Sequence, residues 1–100
     1  MTIEINNSTT SVTAVMCGCL DTQAAEMMET KVQELEAMAQ VPLFIDCAAL
    51  EYISSSGLRL LLRLKKAFAA KGQSVTLASV NDSIMEVLRI THFDRMFELA

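Results

Sequence analysis

The sequence predicts an α/β fold, a mixed central β-sheet with helices packed on it, and three observations lead there. The 100-residue chain has 52% hydrophobic and 20% charged residues, enough apolar surface in one core to offset chain entropy. With only 3 Gly and 1 Pro, it falls outside the collagen-like and low-complexity classes. Its apolar residues switch between strand-like runs and helical spacing in the order hairpin, helix, strand, helix, strand, helix, strand. Strands separated by a helix become parallel neighbours. No repeat or linker interrupts this order, so residues 1–100 are expected to form one domain.

Taken in order, Thr2–Ile5 carries a weak strand signal, and Val12–Cys17 is a β-branched, mostly apolar run after the turn-rich Asn6–Thr10. Together they predict a hairpin. Asp21 is a good N-cap for a helix whose Ala24, Met28, Val32, Leu35 and Ala39 recur at three- and four-residue spacing opposite Glu26, Glu29, Gln33 and Glu36. Val41-Pro42 stops that helix, and Leu43-Phe44-Ile45 reads as a strand covered on both faces. A loop over residues 47–55 is expected next. It precedes a second helix with Leu58, Leu61, Leu62, Leu64 and Phe68 at helical spacing, closed by Gly72. Residues 74–78 alternate as a strand, Asn81 or Asp82 caps a third helix carrying Ile84, Val87 and Leu88, and residues 96–99 close the sheet.

Charge and cysteine usage narrow the function classes. The net charge is −4 and the 8 basic residues form no run, so no cationic tract exists to replace counterions along a phosphate backbone, and nucleic acid is not an expected partner. The longest uncharged stretch, Ile5–Leu20, is too short and too rich in Asn, Ser and Thr for membrane insertion. The first basic residue is Lys31, so no positive start of a secretory signal is expected, and three unpaired cysteines read as reduced thiols of a cytoplasmic protein.

The segment from Asp46 to Leu58 is the most informative. A buried strand delivers the chain to Ser54, Ser55 and Ser56 at the N-terminus of a helix, where unpaired N–H groups and the helix dipole favour negative charge. The same residues also have a plain structural use: Ser54 or Ser55 as N-cap, and Gly57 for close helix packing. The full pattern, Asp46-x-x-x-Leu50-x-Tyr52-Ile53-Ser54-Ser55-Ser56-Gly57-Leu58-x-x-Leu61-Leu62, resembles the signature of the STAS domain, the module shared by sulfate transporters and bacterial anti-sigma factor antagonists. Gly18-x-Leu20-Asp21, Val80-Asn81 and Leu88-Arg89-Ile90-Thr91 extend the resemblance over essentially the whole chain.

The resemblance implies a binding module, not an enzyme, with no cofactor and no catalytic residue. In anti-sigma factor antagonists of this kind, the partner anti-sigma factor is a serine kinase that phosphorylates the serine before the glycine, here Ser56. A PP2C-type phosphatase reverses the modification. The unphosphorylated antagonist sequesters the anti-sigma factor, and phosphorylation releases it. Sporulation-type members carry Asp where this chain has Ser54, which leaves Ser55 as a second acceptor candidate. The alternative within the family is a constitutive subunit of a lipid-transport ATPase or stressosome-like complex.

Steps of 100° along the second helix place Arg59, Arg63 and Lys66 on one stripe, while leucines and Phe68 occupy an arc of roughly 200°. That arc is wider than one sheet face requires, so its edge near Leu58 and Leu62 is either partner surface or packed against neighbouring helices. The expected partner face comprises Asp21, Ser54, Ser55, Gly57, Leu58, Arg59 and Leu62. Lys65 falls inside the apolar arc and has no role beyond snorkelling. Cys17-x-Cys19 is too closely spaced for a structural zinc site and reads as two small buried hydrophobes, so no metal is expected. Ser56, His92 and Asp46 or Asp94 lack the glycine two residues before a nucleophile-elbow serine. His92 is better read as closing the third helix.

Overall fold

A computed structural model describes residues 1–100. The elements are β1 Thr2–Asn7, β2 Val12–Leu20, α1 Thr22–Met27, α2 Glu29–Glu36, β3 Leu43–Ile53, α3 Ser55–Ala69, β4 Val75–Ala78, α4 Asp82–Ile90 and β5 Glu98–Leu99, with a 3₁₀ turn at Phe93–Arg95 before the last strand. They form a five-stranded sheet in the order β1-β2-β3-β4-β5. The β1–β2 hairpin is antiparallel and every later pair is parallel, as expected where a helix separates consecutive strands.

β2 and the first half of β3 alternate as the pleat requires, whereas β4 is buried on both faces at Thr76 as well. Val12, Ala14 and Met16 of β2, Leu43, Ile45 and Cys47 of β3, and Val75 and Leu77 of β4 are buried. Against them pack Val32 and Leu35 of α2, Leu61, Leu64 and Phe68 of α3, and Ile84 and Leu88 of α4. Gly72, at φ 75°, ends α3 in the left-handed region, and Gln73 N–H donates to Phe68 O at 2.9 Å. His92 takes the same role after α4 with φ 63°, as the sequence suggests. Lys65, unexplained by sequence, holds its ammonium 5.6 Å from the ring centroid of buried Phe97, a cation–π contact.

Three expectations need correction. The first predicted helix is two, α1 and α2, broken at Met28. The loop expected over residues 47–55 is mostly strand, because β3 runs on to Ile53 beside β2. The last strand covers only Glu98–Leu99, with Met96 and Phe97 left in the turn before it.

The path of β3 decides where α3 begins. Val15 pairs with Asp46 and Cys17 with Ala49, so β3 gains one residue on β2 between these pairs. It gains another between the pairs Gly18–Leu50 and Cys19–Tyr52. These are two β-bulges on one strand, and each leaves backbone groups without a ladder partner. The Asp46 carboxylate accepts from Ala48 N–H at 3.0 Å in the first. The Asn81 amide donates to Leu50 O at 2.7 Å and Cys47 O at 3.2 Å. The side chains of Asp46 and Asn81 therefore bond backbone groups of β3 at both irregularities.

Candidate functional site

Because β2 and β3 are parallel and Leu20 pairs with Ile53, the helices that follow them start side by side at the carboxyl ends of these two inner strands. Asp21 caps α1, its carboxylate accepting from Ala24 N–H at 2.8 Å. Ser54 caps α3, its hydroxyl accepting from Gly57 N–H at 3.2 Å. Serine and aspartate both serve as N-caps, so the departure from the sporulation-type pattern at residue 54 keeps the helix start intact. Ser54 N–H also donates to Leu20 O at 2.9 Å, tying the two strand exits together.

Gly57 makes this closeness possible. A Cβ at this position would stand 2.7 Å from Leu20 O and 2.8 Å from Ile53 Cγ1. The obstruction on one side is backbone, which cannot swing away. Only a residue without a side chain lets the first turn of α3 lie against the ends of β2 and β3.

The arrangement leaves Ser55 exposed and Ser56 half-buried at the rim. Ser56 Oγ lies 3.3 Å from Thr22 Oγ1 and accepts from Arg59 Nη2 at 3.1 Å. Thr22, Glu26 and Glu29 on one wall and Ser56, Arg59 and Arg63 on the other line a groove of about 280 Å³ between the helices. Its far end is clamped. Arg63 holds Glu29 at 2.7 and 2.8 Å and Glu36 at 2.8 and 3.0 Å. Arg63 keeps the Glu29 carboxyl below its usual range, chiefly through these hydrogen bonds.

Of the residues singled out by sequence, Asp21, Ser54, Ser55, Ser56 and Arg59 come together here. Leu58 does not join their surface: it is only 7% exposed, and Gly57 is buried beneath it. The wide apolar arc of α3 is taken up by the sheet on one side and by α1 and α2 on the other, so only Leu62 remains half-exposed at its edge. The reading of Cys17 and Cys19 as buried is also corrected. Met16 takes the inward position, which turns Cys17 to the opposite face, and Cys19 is exposed beyond the second bulge. Only Cys47 is buried, and burial pushes its thiol up to about 12, with the Asp46 carboxylate adding to the effect. No three side chains of His, Cys, Asp and Glu gather as metal ligands.

Sequence reasoning missed Thr22, whose place beside Ser56 depends on strand register. It also missed Met27 and Tyr52, which are 70% and 52% exposed. Met27 shares a second cavity with Cys19 and Asp21, and Tyr52 lies two residues before the α3 cap. No sequence signal marks Tyr52, because the bulge between the Gly18–Leu50 and Cys19–Tyr52 pairs breaks the alternation and leaves Glu51 and Tyr52 both exposed.

A family model for the STAS domain matches residues 3–100. Among solved structures, a candidate anti-sigma factor antagonist of Thermotoga maritima superposes with a TM-score of 0.85 at 20% identity, over 97% of this chain and 84% of that one. An anti-sigma-factor antagonist (STAS) domain protein of Planctomyces limnophilus gives 0.83 at 21% identity, over 98% and 87%. The Bacillus cell fate determinant SpoIIAA in its phosphorylated form gives 0.73 at 18% identity, over 99% and 91%. At these identities the likeness is one of fold. No helix of the chain is long and apolar enough to cross a membrane.

Proposed function

The chain belongs to the STAS domain family, and we propose that it acts in the cytoplasm as an anti-sigma factor antagonist whose binding is switched off by phosphorylation of Ser56. The observation that carries this reading is the Ser56 hydroxyl itself: a side chain held open at the rim where two helices start together, bonded only to other side chains. A relative of the same fold is known in a phosphorylated form. The partner in this reading is an anti-sigma factor that is also a serine kinase, and a PP2C-type phosphatase restores the free hydroxyl. The docking face combines Asp21, Ser54, Ser55, Arg59 and Leu62 with the exposed apolar surface of Met27 and Tyr52.

The chemistry of the switch is a phosphoryl transfer. The Ser56 Oγ–P bond forms as the bond from the γ-phosphorus of the kinase's ATP to ADP breaks, and the hydroxyl proton passes to a base of the kinase. The product adds about −1.5 to −2 charges to a chain already at −4. The fold tolerates that charge at a helix start. A partner surface fitted to neutral hydroxyls does not, because it offers the dianion nothing in exchange for its lost water, which costs several kcal/mol and so weakens binding by orders of magnitude.

Incubation with candidate anti-sigma factor kinases, read by intact mass, tests the reading. Addition of one phosphate to the wild type and none to Ser56→Ala supports it. Addition to Ser56→Ala moves the switch to Ser55. Stable co-purification with transporter subunits and no phosphate on either protein contradicts the switch and favours the constitutive alternative.

A further inference from the structure

Two arginines line the groove beside Ser56, and they stand in different states. Arg63 is saturated, its guanidinium shared between Glu29 and Glu36. Arg59 has no carboxylate partner, and its single side-chain bond is to Ser56 Oγ at 3.1 Å. The groove around them is otherwise acidic, with Glu26 and Glu29 on the facing wall. An anion placed on Ser56 therefore meets one available cation on its own helix and carboxylates opposite.

Resting on the reading that Ser56 is modified, we propose that Arg59 is the built-in receptor for a phosphate on Ser56, with the Thr22 hydroxyl as second ligand. Arg59 is one turn along the same face of α3, so the phosphate oxygens enter reach of its fork without movement of the backbone. Arginine suits this place better than lysine, because its planar donors match phosphate oxygens in pairs. Thr22, 3.3 Å from the acceptor oxygen, turns its O–H to donate once the phosphate offers only acceptors. Modification then does two things at once. It adds an anion to the docking face and withdraws from that face the cation that Arg59 presented.

The test uses the full chain with phosphoserine encoded at position 56, so no kinase is involved. The second ionisation of the phosphate is followed by ³¹P NMR across pH. The expected pKa is lower in the otherwise unaltered protein than in Arg59→Gln by roughly half a unit or more. Arg59→Lys keeps part of the shift, and Thr22→Val loses a smaller part of it. Lys66→Gln, which removes the same charge further along the stripe, leaves the pKa unmoved. Equal titration in Arg59→Gln and Lys66→Gln overturns the proposal. That failure is distinct from failure of the functional reading, in which no kinase modifies Ser56 while the encoded phosphate still titrates under the influence of Arg59. Thermal melts confirm that each variant folds, as expected for exposed side chains.

Discussion

The starts of α3 and α4 share one capping chemistry and put it to different uses. Each begins with a polar side chain in extended backbone that accepts from an N–H three residues on: Ser54 from Gly57, and Asn81 from Ile84 at 3.0 Å. At α4 the other half of the cap side chain is also committed, because the Asn81 amide donates to the carbonyls of the bulged β3 strand. At α3 the hydroxyls beyond the cap are bound to nothing in the fold's own backbone, and Ser56 is held by Thr22 and Arg59 alone. A helix N-terminus is thus a structural joint in one place and, in the other, a rim of hydroxyls that the backbone does not use. What separates them is whether the neighbouring strand needs the side chain.

Substitutions break this contrast in a definite order. Gly57→Ala should do the most damage: with a backbone oxygen at 2.7 Å from the new Cβ, α3 must shift away from β2, and the cost is about 3 kcal/mol. A thermal melt showing no loss would mean the two helix starts do not depend on that close approach. Asn81→Asp comes next. It keeps the capping oxygen but sets a carboxylate against Leu50 O and Cys47 O, at a cost of about 2 kcal/mol in denaturant unfolding. If Asn81→Asp were as stable as the parent, α4 would have no more structural commitment than α3.

Ser54→Ala removes only a cap and should cost about 1 kcal/mol, recovered in Ser54→Asp. Ser56→Ala should change stability by less than about 0.5 kcal/mol, since its bonds are to exposed side chains. A large loss there would make Ser56 another joint. The smallest effect concerns the α2–α3 clamp. Glu29 has a folded pKa below its ordinary 4.5, so its contribution is present above that pH and is lost as pH falls through the folded value. The clamp is exposed, so stability measured between pH 6 and pH 3 should differ only slightly between the wild type and Arg63→Met in its slope with pH. Identical slopes would show that Glu29 gains nothing from Arg63.

The same contrast explains what could be read from the residues alone. The caps and the left-handed closures at Gly72 and His92 are local, each decided within a few positions of the chain: the sequence points to Asp21, narrows the others to Ser54 or Ser55 and Asn81 or Asp82, and the structure selects Ser54 and Asn81. The run of β3 past Asp46 is not legible in this way. Two bulges destroy the alternation that marks a strand, leaving residues 47–52 with no period to recognise. The break at Met28 has no marker, since methionine is a good helix former and no Gly or Pro is nearby. The site lies between these extremes. Its serines are legible, but the meeting of Thr22 with Ser56 depends on Leu20 facing Ile53, a register set by those same bulges.

The most direct measurement is a paired titration of the anti-sigma factor kinase, without ATP, against the unmodified protein and the protein phosphorylated at Ser56, with thermal melts of both forms. Weakening of binding by orders of magnitude, with melting temperatures within a few degrees of each other, is the predicted result. Equal affinities would contradict a switch at Ser56, and a collapse of the melting temperature on phosphorylation would show that the α3 start is a joint of the fold after all.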